Sequence, residues 1–412
     1  MKNRILLLFT LVFGHQIYAQ TVVLPNTNDS RVITTGMPFL LIAPEARGAA
    51  MGDMGVATSV DAFSQNWNPS KYAFSENKQG FSLSYTPYLT KLVNDISLAY
   101  LTYYNRIDER SGFAVSLKYF GLGEIELVQD ENSTPLVVKP NEISLDGSYS
   151  LKLSEQFAMS VAMRYSRSDL KIDAIDADAT AANSFGVDIA GYYQSEEQAY
   201  ASFNGRTRLG FAIQNIGPTF KYDDGGQENF QPTNLRLGGG FDFILDDFNK
   251  VSITAEVTKL LVPTPPVYGT EFNYTESGAN PGFQSDEDTL GAVVTPNVIV
   301  EGKDPNVGFF KGMFQSFGDA PGGFKEEIKE FTYAVGAEYM YQDSFGFRAG
   351  YFNESDEKGA RQFFAIGAGF KYNVIGLDLS YLFSASKVQN PLENTLRFSL
   401  TFNFGPGTYR EY

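Results

Sequence analysis

The sequence predicts an all-β fold: a 14-stranded antiparallel transmembrane β-barrel with an N-terminal luminal hatch and long extracellular loops. Three observations predict it. An export signal begins the chain, apolar and polar residues alternate in fourteen later segments, and long links alternate with short ones between those segments. All three are typical of barrels in a bacterial outer membrane.

The first element is the export signal. Lys2 and Arg4 precede a short apolar core at 5–13, and Ala19 is a small residue at the expected cleavage site. The core is shorter than the ~20 residues of a membrane helix, so we expect cleavage after Ala19, with an uncleaved anchor as the alternative. The predicted divisions are a signal peptide at 1–19, a hatch segment at 20–79 and a barrel at 80–412.

The composition argues against most enzyme classes. The chain has no cysteine, and its single histidine, His15, leaves with the signal. The mature chain therefore has no disulfide, no imidazole base and no histidine-ligated zinc. We expect no enzyme activity, no cofactor and no metal. The net charge of −16 also argues against a nucleic-acid partner, because such binding depends on Lys and Arg at phosphates.

The barrel strands are predicted from period-two alternation. In residues 113–119, Phe113, Val115, Leu117 and Tyr119 share one face, and smaller or polar residues occupy the other. No apolar run after the signal reaches the ~18 residues of a membrane helix. Fourteen alternating segments of about ten residues start near 80, 95, 112, 142, 156, 184, 206, 234, 250, 331, 344, 362, 375 and 395.

The links between these segments give an independent prediction. Long links mostly follow the odd-numbered segments: 121–141, 167–183, 215–233, 260–330, 353–361 and 385–394. Links after even-numbered segments are mostly short. Outer-membrane barrels have short periplasmic turns and long outside loops, so this parity predicts extracellular long loops and two periplasmic termini. A soluble β-sandwich, the alternative fold, gives no reason for the asymmetry.

Residues 20–79 precede the first strand and are rich in small residues. They could hang in the periplasm or fold into the lumen; small residues pack closely, which favours an inserted plug. We expect Trp67 to be shielded from water and Asn68 to be hydrogen-bonded near the first strand. The residues predicted to matter in the hatch are Arg47, Gly52, Trp67, Asn68 and Pro69.

Charges of both signs fall on the predicted inward faces. They are Lys118, Arg164, Arg348 and Arg397, with Asp146, Asp188, Glu256, Glu338 and Asp378. One interpretation is a polar conduit or a catalytic carboxylate pair. The favoured one is a salt-bridged lumen, because buried charges are ordinarily paired.

The link 260–330 is the longest, and loops of this length are uncommon unless functional. It opens with a stiff proline-rich run at 263–266. Its acidic run at 286–288 could bind calcium, but a solvated charge run is the favoured interpretation. Its aromatic stretch either docks a partner or packs on the barrel's own mouth. The candidate partner-binding residues there are Phe309, Phe310, Met313, Phe314 and Phe317.

The hatch segment also carries a family resemblance. Residues 34–47 (TTGMPFLLIAPEAR), 51–59 (MGDMGVATS) and 66–74 (NWNPSKYAF) resemble the opening of mature PorV proteins. PorV proteins are outer-membrane components of the type IX secretion system of Bacteroidetes. The Asn-Pro piece is less specific, because fatty-acid channels of the FadL type carry a similar motif in their hatch.

The resemblance implies a role in protein secretion. A PorV protein would associate with the large translocon barrel, bind the C-terminal signal domains of secreted cargo and pass that cargo to a sortase-like attachment complex, in contact with outer-membrane lipid. The alternative is a FadL-type channel for hydrophobic small molecules, which needs an apolar pocket. A carboxylate-only surface hydrolase is a third possibility, disfavoured by the absence of histidine from the mature chain.

Overall fold

The computed structural model describes residues 21–26, 30–89, 93, 95–128, 135–171, 180–223, 225–274, 292–386, 393 and 395–406. The predicted signal peptide and the acidic run at 286–288 lie outside these residues. Within them, fourteen strands form the barrel wall: β1 (Asn77–Pro87), β2 (Ile96–Arg106), β3 (Ser111–Leu122), β4 (Asn141–Lys152), β5 (Phe157–Asp169), β6 (Ala182–Gln194), β7 (Asn204–Ile216), β8 (Asn234–Ile244), β9 (Asn249–Leu260), β10 (Phe331–Tyr341), β11 (Phe345–Asn353), β12 (Gln362–Tyr372), β13 (Ile375–Ser384) and β14 (Leu396–Pro406).

The sheet is closed and antiparallel throughout. Each strand pairs with the next along the chain, β6 with β7 included, and β14 returns to pair with β1. Closure leaves no free edge in the wall, as a bilayer requires. The predicted 14-stranded antiparallel barrel is confirmed, and each predicted start lies within about three residues of the observed one.

The alternation predicted from sequence is the observed division between the two faces of the wall. In β3, Val115 and Tyr119 are exposed on the outside, whereas Ser116 and Lys118 are buried inside. Outward-facing side chains on the other strands are similarly apolar, including Leu145, Val161, Phe347 and Ile366. In a barrel that crosses a bilayer, apolar side chains face outward and polar side chains face inward, as they do in this wall.

The long and short links lie at opposite ends of the barrel, which we name the long-loop end and the short-turn end. β14 ends at Pro406 at the short-turn end. The first described strand, Thr21–Pro25, instead pairs with Val267–Tyr274 inside the longest link. The hatch segment therefore starts at the long-loop end. The prediction that both termini share one end is wrong for the described residues, because link parity fixes where β1 begins but not the course of the sixty residues before it.

Several short elements lie outside the wall. The hatch segment contains the helices α1 (Ala46–Ala50) and α2 (Ser64–Trp67), and 3-10 turns at Pro38–Leu41 and Pro69–Phe74. No described helix has the length and apolarity needed to span a bilayer. The links contain the strands Ile125–Leu127, Leu136–Val138, Gln198–Ala199, Val267–Tyr274 and Ala292–Glu301, the helices α3 (Phe309–Gln315) and α4 (Phe324–Glu327), and a 3-10 turn at Ile328–Glu330.

Candidate functional site

The hatch segment enters the barrel at the long-loop end and leaves it at β1. Gly36 N donates to Phe230 O in the link between β7 and β8, and from Met37 onward the segment is mostly buried. Side-chain hydrogen bonds join its residues 46–68 to β3, β6, β9, β10 and β14. These strands lie on different sides of the barrel, so this part of the chain occupies the lumen.

Glycines allow the hatch backbone to touch the wall. Gly336 of β10 and Gly350 of β11 are directly paired and both lie beneath Met51. A Cβ on Gly336 would lie 2.6 Å from Met51 O, and a Cβ on Gly350 would collide with the Met51 backbone. Gly52 has φ 91°, which L side chains rarely adopt, and its Cβ would lie 2.9 Å from Tyr351 O. The end of α1 therefore packs backbone to backbone against the wall.

Arg47 fixes the hatch to β10 by a bidentate ion pair. Its Nε and Nη2 donate to the two carboxylate oxygens of Glu338, each at 2.9 Å. Nη1 donates to Asp61 at 2.6 Å, and Ser59 accepts two further bonds. Arg348 donates to the same Glu338 at 2.6 Å, so this buried carboxylate lies between two guanidinium groups. Such charge-assisted bonds are strong and directional, and loss of one partner leaves a buried charge uncompensated.

Trp67 is 2% exposed and lies at the centre of the hatch. Its Nε1 donates to Glu45 Oε1 at 2.9 Å, and the Gly48 N–H at the start of α1 donates to the same oxygen at 2.7 Å. Burial, with the nearby negative charge of Asp61, raises the pKa of Glu45 to about 7. The Arg236 guanidinium lies 5.2 Å from the centre of the indole ring. The indole thus joins α1 to the wall.

Asn68 joins the hatch to β6. Its Nδ2 donates to Val56 O and to Gly191 O, both at 2.9 Å, and its Oδ1 accepts from Ser70 N at 3.2 Å. The last bond caps the 3-10 turn whose first residue is Pro69, a position that suits proline because it needs no N–H donor. Gly191 belongs to β6, so the expectation that Asn68 bonds near the first strand is wrong. The sequence could not reveal the partner, which is a backbone carbonyl.

The inward charges of the wall are largely paired. Arg164 contacts Asp146 at 2.6 Å and Asp188 at 3.0 Å, and Arg348 contacts Asp378 at 2.6 Å. Three other predicted charges bond to the hatch: Lys118 to Asn66 Oδ1 at 3.0 Å, Glu256 to Gly55 N and Val56 N at 2.9 Å, and Arg397 to Asp53 at 3.1 Å. This arrangement supports the interpretation of a salt-bridged lumen.

The longest link holds its aromatic residues on α3. Phe310 is 61% exposed, Phe314 76% and Phe317, just beyond the helix, 49%. Phe309 and Met313 are half-buried. The opposite face of α3 packs closely, since a Cβ on Gly312 would lie 2.8 Å from the Phe230 ring. Three large aromatic side chains of this link therefore face outward from a packed base.

Sequence reasoning missed a second exposed pair in this link. Phe324 on α4 is 80% exposed and Ile328 is 45% exposed. Their i, i+4 spacing could have identified them, because residues at that spacing share one side of a helix.

A buried ion cluster fastens this link to the barrel. Lys259 Nζ, at the end of β9, contacts Glu327 at 2.8 Å and Glu330 at 2.6 Å. Lys358 Nζ, in the link between β11 and β12, contacts Glu330 at 3.0 Å and Glu326 at 2.7 Å. Glu326 also pairs with Arg31 at the start of the hatch segment. The cluster joins both ends of the longest link to two other parts of the chain.

Part of this cluster resembles a cation site. Carboxylate oxygens of Asp319, Glu327 and Glu330 lie within 4.8 Å of one another. The Lys259 ammonium, however, already contacts two of the three carboxylates, so it supplies the positive charge that a metal ion would otherwise bring.

A cavity of about 960 Å³ opens at the short-turn end below the hatch. Charged and polar side chains dominate its lining, among them Arg47, Asp61, Glu338, Arg348 and Asp378. It is a polar vestibule and not the apolar pocket that a hydrophobic ligand requires.

The comparison with protein families shows which family the chain belongs to. The family described as "Type IX secretion system protein PorV" matches residues 25–267, more than half of the chain. The chain belongs to the PorV family. The match covers the hatch segment from residue 25 and β1 to β9, and the resemblance inferred from the hatch is confirmed. A PorV protein is an outer-membrane component of type IX secretion, so the coarse location and role follow from membership.

No curated protein matched the chain. Among solved structures, the Pseudomonas putida toluene transporter TodX is 12% identical, with a TM-score of 0.44, covering 90% of this chain and 98% of that one. The CymD monoaromatic hydrocarbon channel is 11% identical, TM-score 0.44, covering 88% and 98%. A Pseudomonas aeruginosa FadL homologue is 12% identical, TM-score 0.43, covering 92% and 100%. Similarities this weak do not bear on what the chain binds.

Proposed function

We propose that this PorV-family barrel is a non-enzymatic docking component of type IX secretion. It binds the large translocon barrel and the C-terminal signal domain of secreted cargo, and it passes cargo to the sortase-like attachment complex at the cell surface. In this account the signal peptide at 1–19 is removed, the segment 20–79 is a hatch, and 80–412 is the barrel. The long loops face outward.

The exposed aromatic face of the longest link is the observation that carries the proposal. Phe310 and Phe314 on α3, and Phe317 just beyond it, face outward from a link that buried ion pairs anchor. Each large apolar side chain left in water forgoes ~1.5–3 kcal/mol of burial, so such a face is favourable where a partner covers it. Because the link is anchored at both ends, the face is pre-organised and little ordering entropy opposes binding.

The lumen supports docking over transport. The hatch is held by hydrogen bonds and ion pairs to strands on several sides, and the vestibule beneath it is polar. A channel for hydrophobic molecules needs an apolar pocket and a path past its hatch. Reaction chemistry is equally disfavoured, because inward carboxylates such as Asp146, Glu338 and Asp378 are engaged by arginines.

Purification in mild detergent tests the proposal. Tagged barrel from its native membrane should retain a very large barrel and secreted proteins that carry C-terminal signal domains. The matched control is a variant in which Phe248, exposed at the short-turn end, becomes Ser; it should retain the same partners. Recovery of bound fatty acid alone, with no translocon and no cargo, would reject docking in favour of the channel.

A further inference from the structure

A shallow concave surface beside α3 combines an aromatic side chain with two lysines. It has a volume of about 810 Å³, and its lining includes Lys303, Val307, Lys311 and Phe314. Lys303 precedes α3, and Lys311 and Phe314 lie on it. The two lysines therefore share one surface with Phe314, the most exposed phenylalanine of the helix.

Lys303 and Lys311 differ from three other surface lysines that have a carboxylate partner within the chain. Lys139 pairs with Glu124, Lys250 with Asp343 and Lys329 with Glu357. In the part of the chain that the structure describes, neither Lys303 nor Lys311 has a carboxylate within 4 Å of its ammonium group. In a chain of net charge −16, two adjacent cations without an internal partner are available to carboxylates from outside.

The surface is held in shape by local hydrogen bonds. The Asp304 carboxylate accepts from Asn306 N at 2.9 Å, and the backbone carbonyl oxygen of Asp304 accepts from Gln315 Nε2 at 2.9 Å. The one carboxylate in the lining thus accepts from the backbone N–H two residues further along the chain. The segment before α3 is fixed to the helix, and the spacing between the lysines and Phe314 is set before any ligand arrives.

We propose that this surface binds an acidic, apolar peptide segment of the docked protein. Apolar side chains of that segment would cover Phe314, and its carboxylates would bond Lys303 and Lys311. The inference rests on the proposed docking function and adds the chemistry of the partner. Such a site combines an aromatic anchor with charged groups at its margin, as protein interfaces commonly do.

The position of α3 favours a peptide over lipid headgroups, whose phosphates could also bond lysine. The underside of α3 at Gly312 packs on Phe230 and Pro263. Phe230 O accepts from Gly36 N, where the hatch segment enters the lumen. The helix therefore lies over the barrel mouth and not along the lipid-facing wall.

Peptide binding to the full-length barrel in zwitterionic nanodiscs tests the inference. The probes are two fluorescent peptides of alternating leucine with glutamate or with glutamine. We expect the glutamate peptide to bind more tightly, with an affinity that falls as salt rises. The double substitution Lys303→Gln and Lys311→Gln should weaken binding of the glutamate peptide by about threefold to tenfold, the range for two exposed ion pairs. Phe314→Ser should weaken both peptides by at least ~10-fold.

Two control variants accompany these measurements. Lys139→Gln removes a lysine that already has a carboxylate partner, and it should leave binding unchanged. Lys303→Arg with Lys311→Arg keeps both charges and should retain affinity. Heat-modified mobility of each variant confirms a folded barrel.

Three results would overturn the inference. They are equal affinity for the two peptides, full binding by the Lys→Gln variant, or lysine-dependent binding of phosphatidylglycerol vesicles without peptide binding. If the Phe314 variant loses translocon or cargo while the lysine variant keeps both, docking stands and only the acidic-peptide chemistry fails. If neither variant loses them, the proposed function fails as well.

Discussion

The hatch and the longest link meet the same barrel in opposite ways. Arg47 and Asn68 of the hatch bond to the wall, and Trp67 bonds to Glu45 within the hatch. The link is also fastened by buried ions, yet it leaves Phe310 and Phe314 in solvent. The hatch buries its aromatic side chains and the link leaves two of them exposed, which is why we propose closure for the hatch and partner binding for the link.

The largest expected effect breaks the hatch side of this comparison. Arg47→Ala removes the bidentate partner of Glu338 and leaves Asp61 without its cation. Removing one member of a buried pair costs ~3–5 kcal/mol, so the hatch should loosen. Trp67 is the only tryptophan, so its fluorescence during a urea titration reports on the hatch directly.

Arg167→Ala is the matched control for this change, because Arg167 forms a half-exposed pair with Asp169 at 3.0 Å. Exposed pairs contribute ~0–1 kcal/mol, so its titration should match the wild type. Equal midpoints for the Arg47 and Arg167 variants would mean that the hatch does not depend on its buried ions.

A smaller effect is expected when a side chain is added at the glycine of the wall that contacts the hatch backbone. Gly350→Val places a side chain where the Met51 backbone lies, and overpacking of this kind costs ~1–3 kcal/mol. Protease added from the short-turn side should then cut the hatch more rapidly. Gly147→Val is the control, since a Cβ on Gly147 of β4 meets nothing within 4 Å. Similar cleavage of both variants would contradict the backbone packing described here.

The pH dependence of the hatch gives a third test. The pKa of Glu45, about 7, lies above its ordinary value of 4.5, so the closed hatch binds this proton more tightly than an open one. The stabilisation that protonated Glu45 gives the closed hatch is fully present below about pH 4.5 and is lost as the pH rises through about 7. Glu45→Gln removes that titration, and the fall in stability over this range should shrink by ~1–3 kcal/mol. An unchanged pH profile of Trp67 quenching would show that Glu45 is not the group responsible.

The starting point of the hatch segment can be tested without altering stability. The chain has no cysteine, so Val23→Cys, in the strand at the long-loop end, introduces a unique and half-exposed thiol. An impermeant maleimide should label it on intact cells, provided that the long loops face outward. Ser154→Cys in a short turn serves as the control and should be labelled only after the outer membrane is opened. Labelling of Val23→Cys only in opened cells would place this strand in the periplasm.

The barrel was predictable because its information is local. Each strand carries its own alternation, so runs such as 113–119 identify both the strand and its faces without knowledge of the neighbours. The predicted strand starts and the alternation of long and short links followed from the same pattern. The family resemblance likewise depended on contiguous residues, those at 34–47 above all.

The missed features depend on contacts between distant residues. Thr21–Pro25 pairs with Val267–Tyr274 across more than two hundred residues, and neither segment has a ten-residue alternation. Asn68 bonds a backbone carbonyl, which any residue at Gly191 would offer. Lys259 has the parity of the outward-facing residues of β9, such as Ile253, and yet it is buried by carboxylates of the following link. No local pattern reports such pairings.

The central claim is that this barrel acts at its mouth, through the exposed aromatic face, and not through its lumen. The most direct measurement is partner recovery with Phe310→Ser and Phe314→Ser combined, beside Phe248→Ser as the exposed control. The account predicts a folded, inserted barrel with unchanged Trp67 fluorescence and a loss of translocon or cargo of at least ~10-fold, from two aromatic groups no longer buried. Full partner recovery and secretion by the double variant, or its failure to fold, would contradict the account and make the aromatic face internal packing.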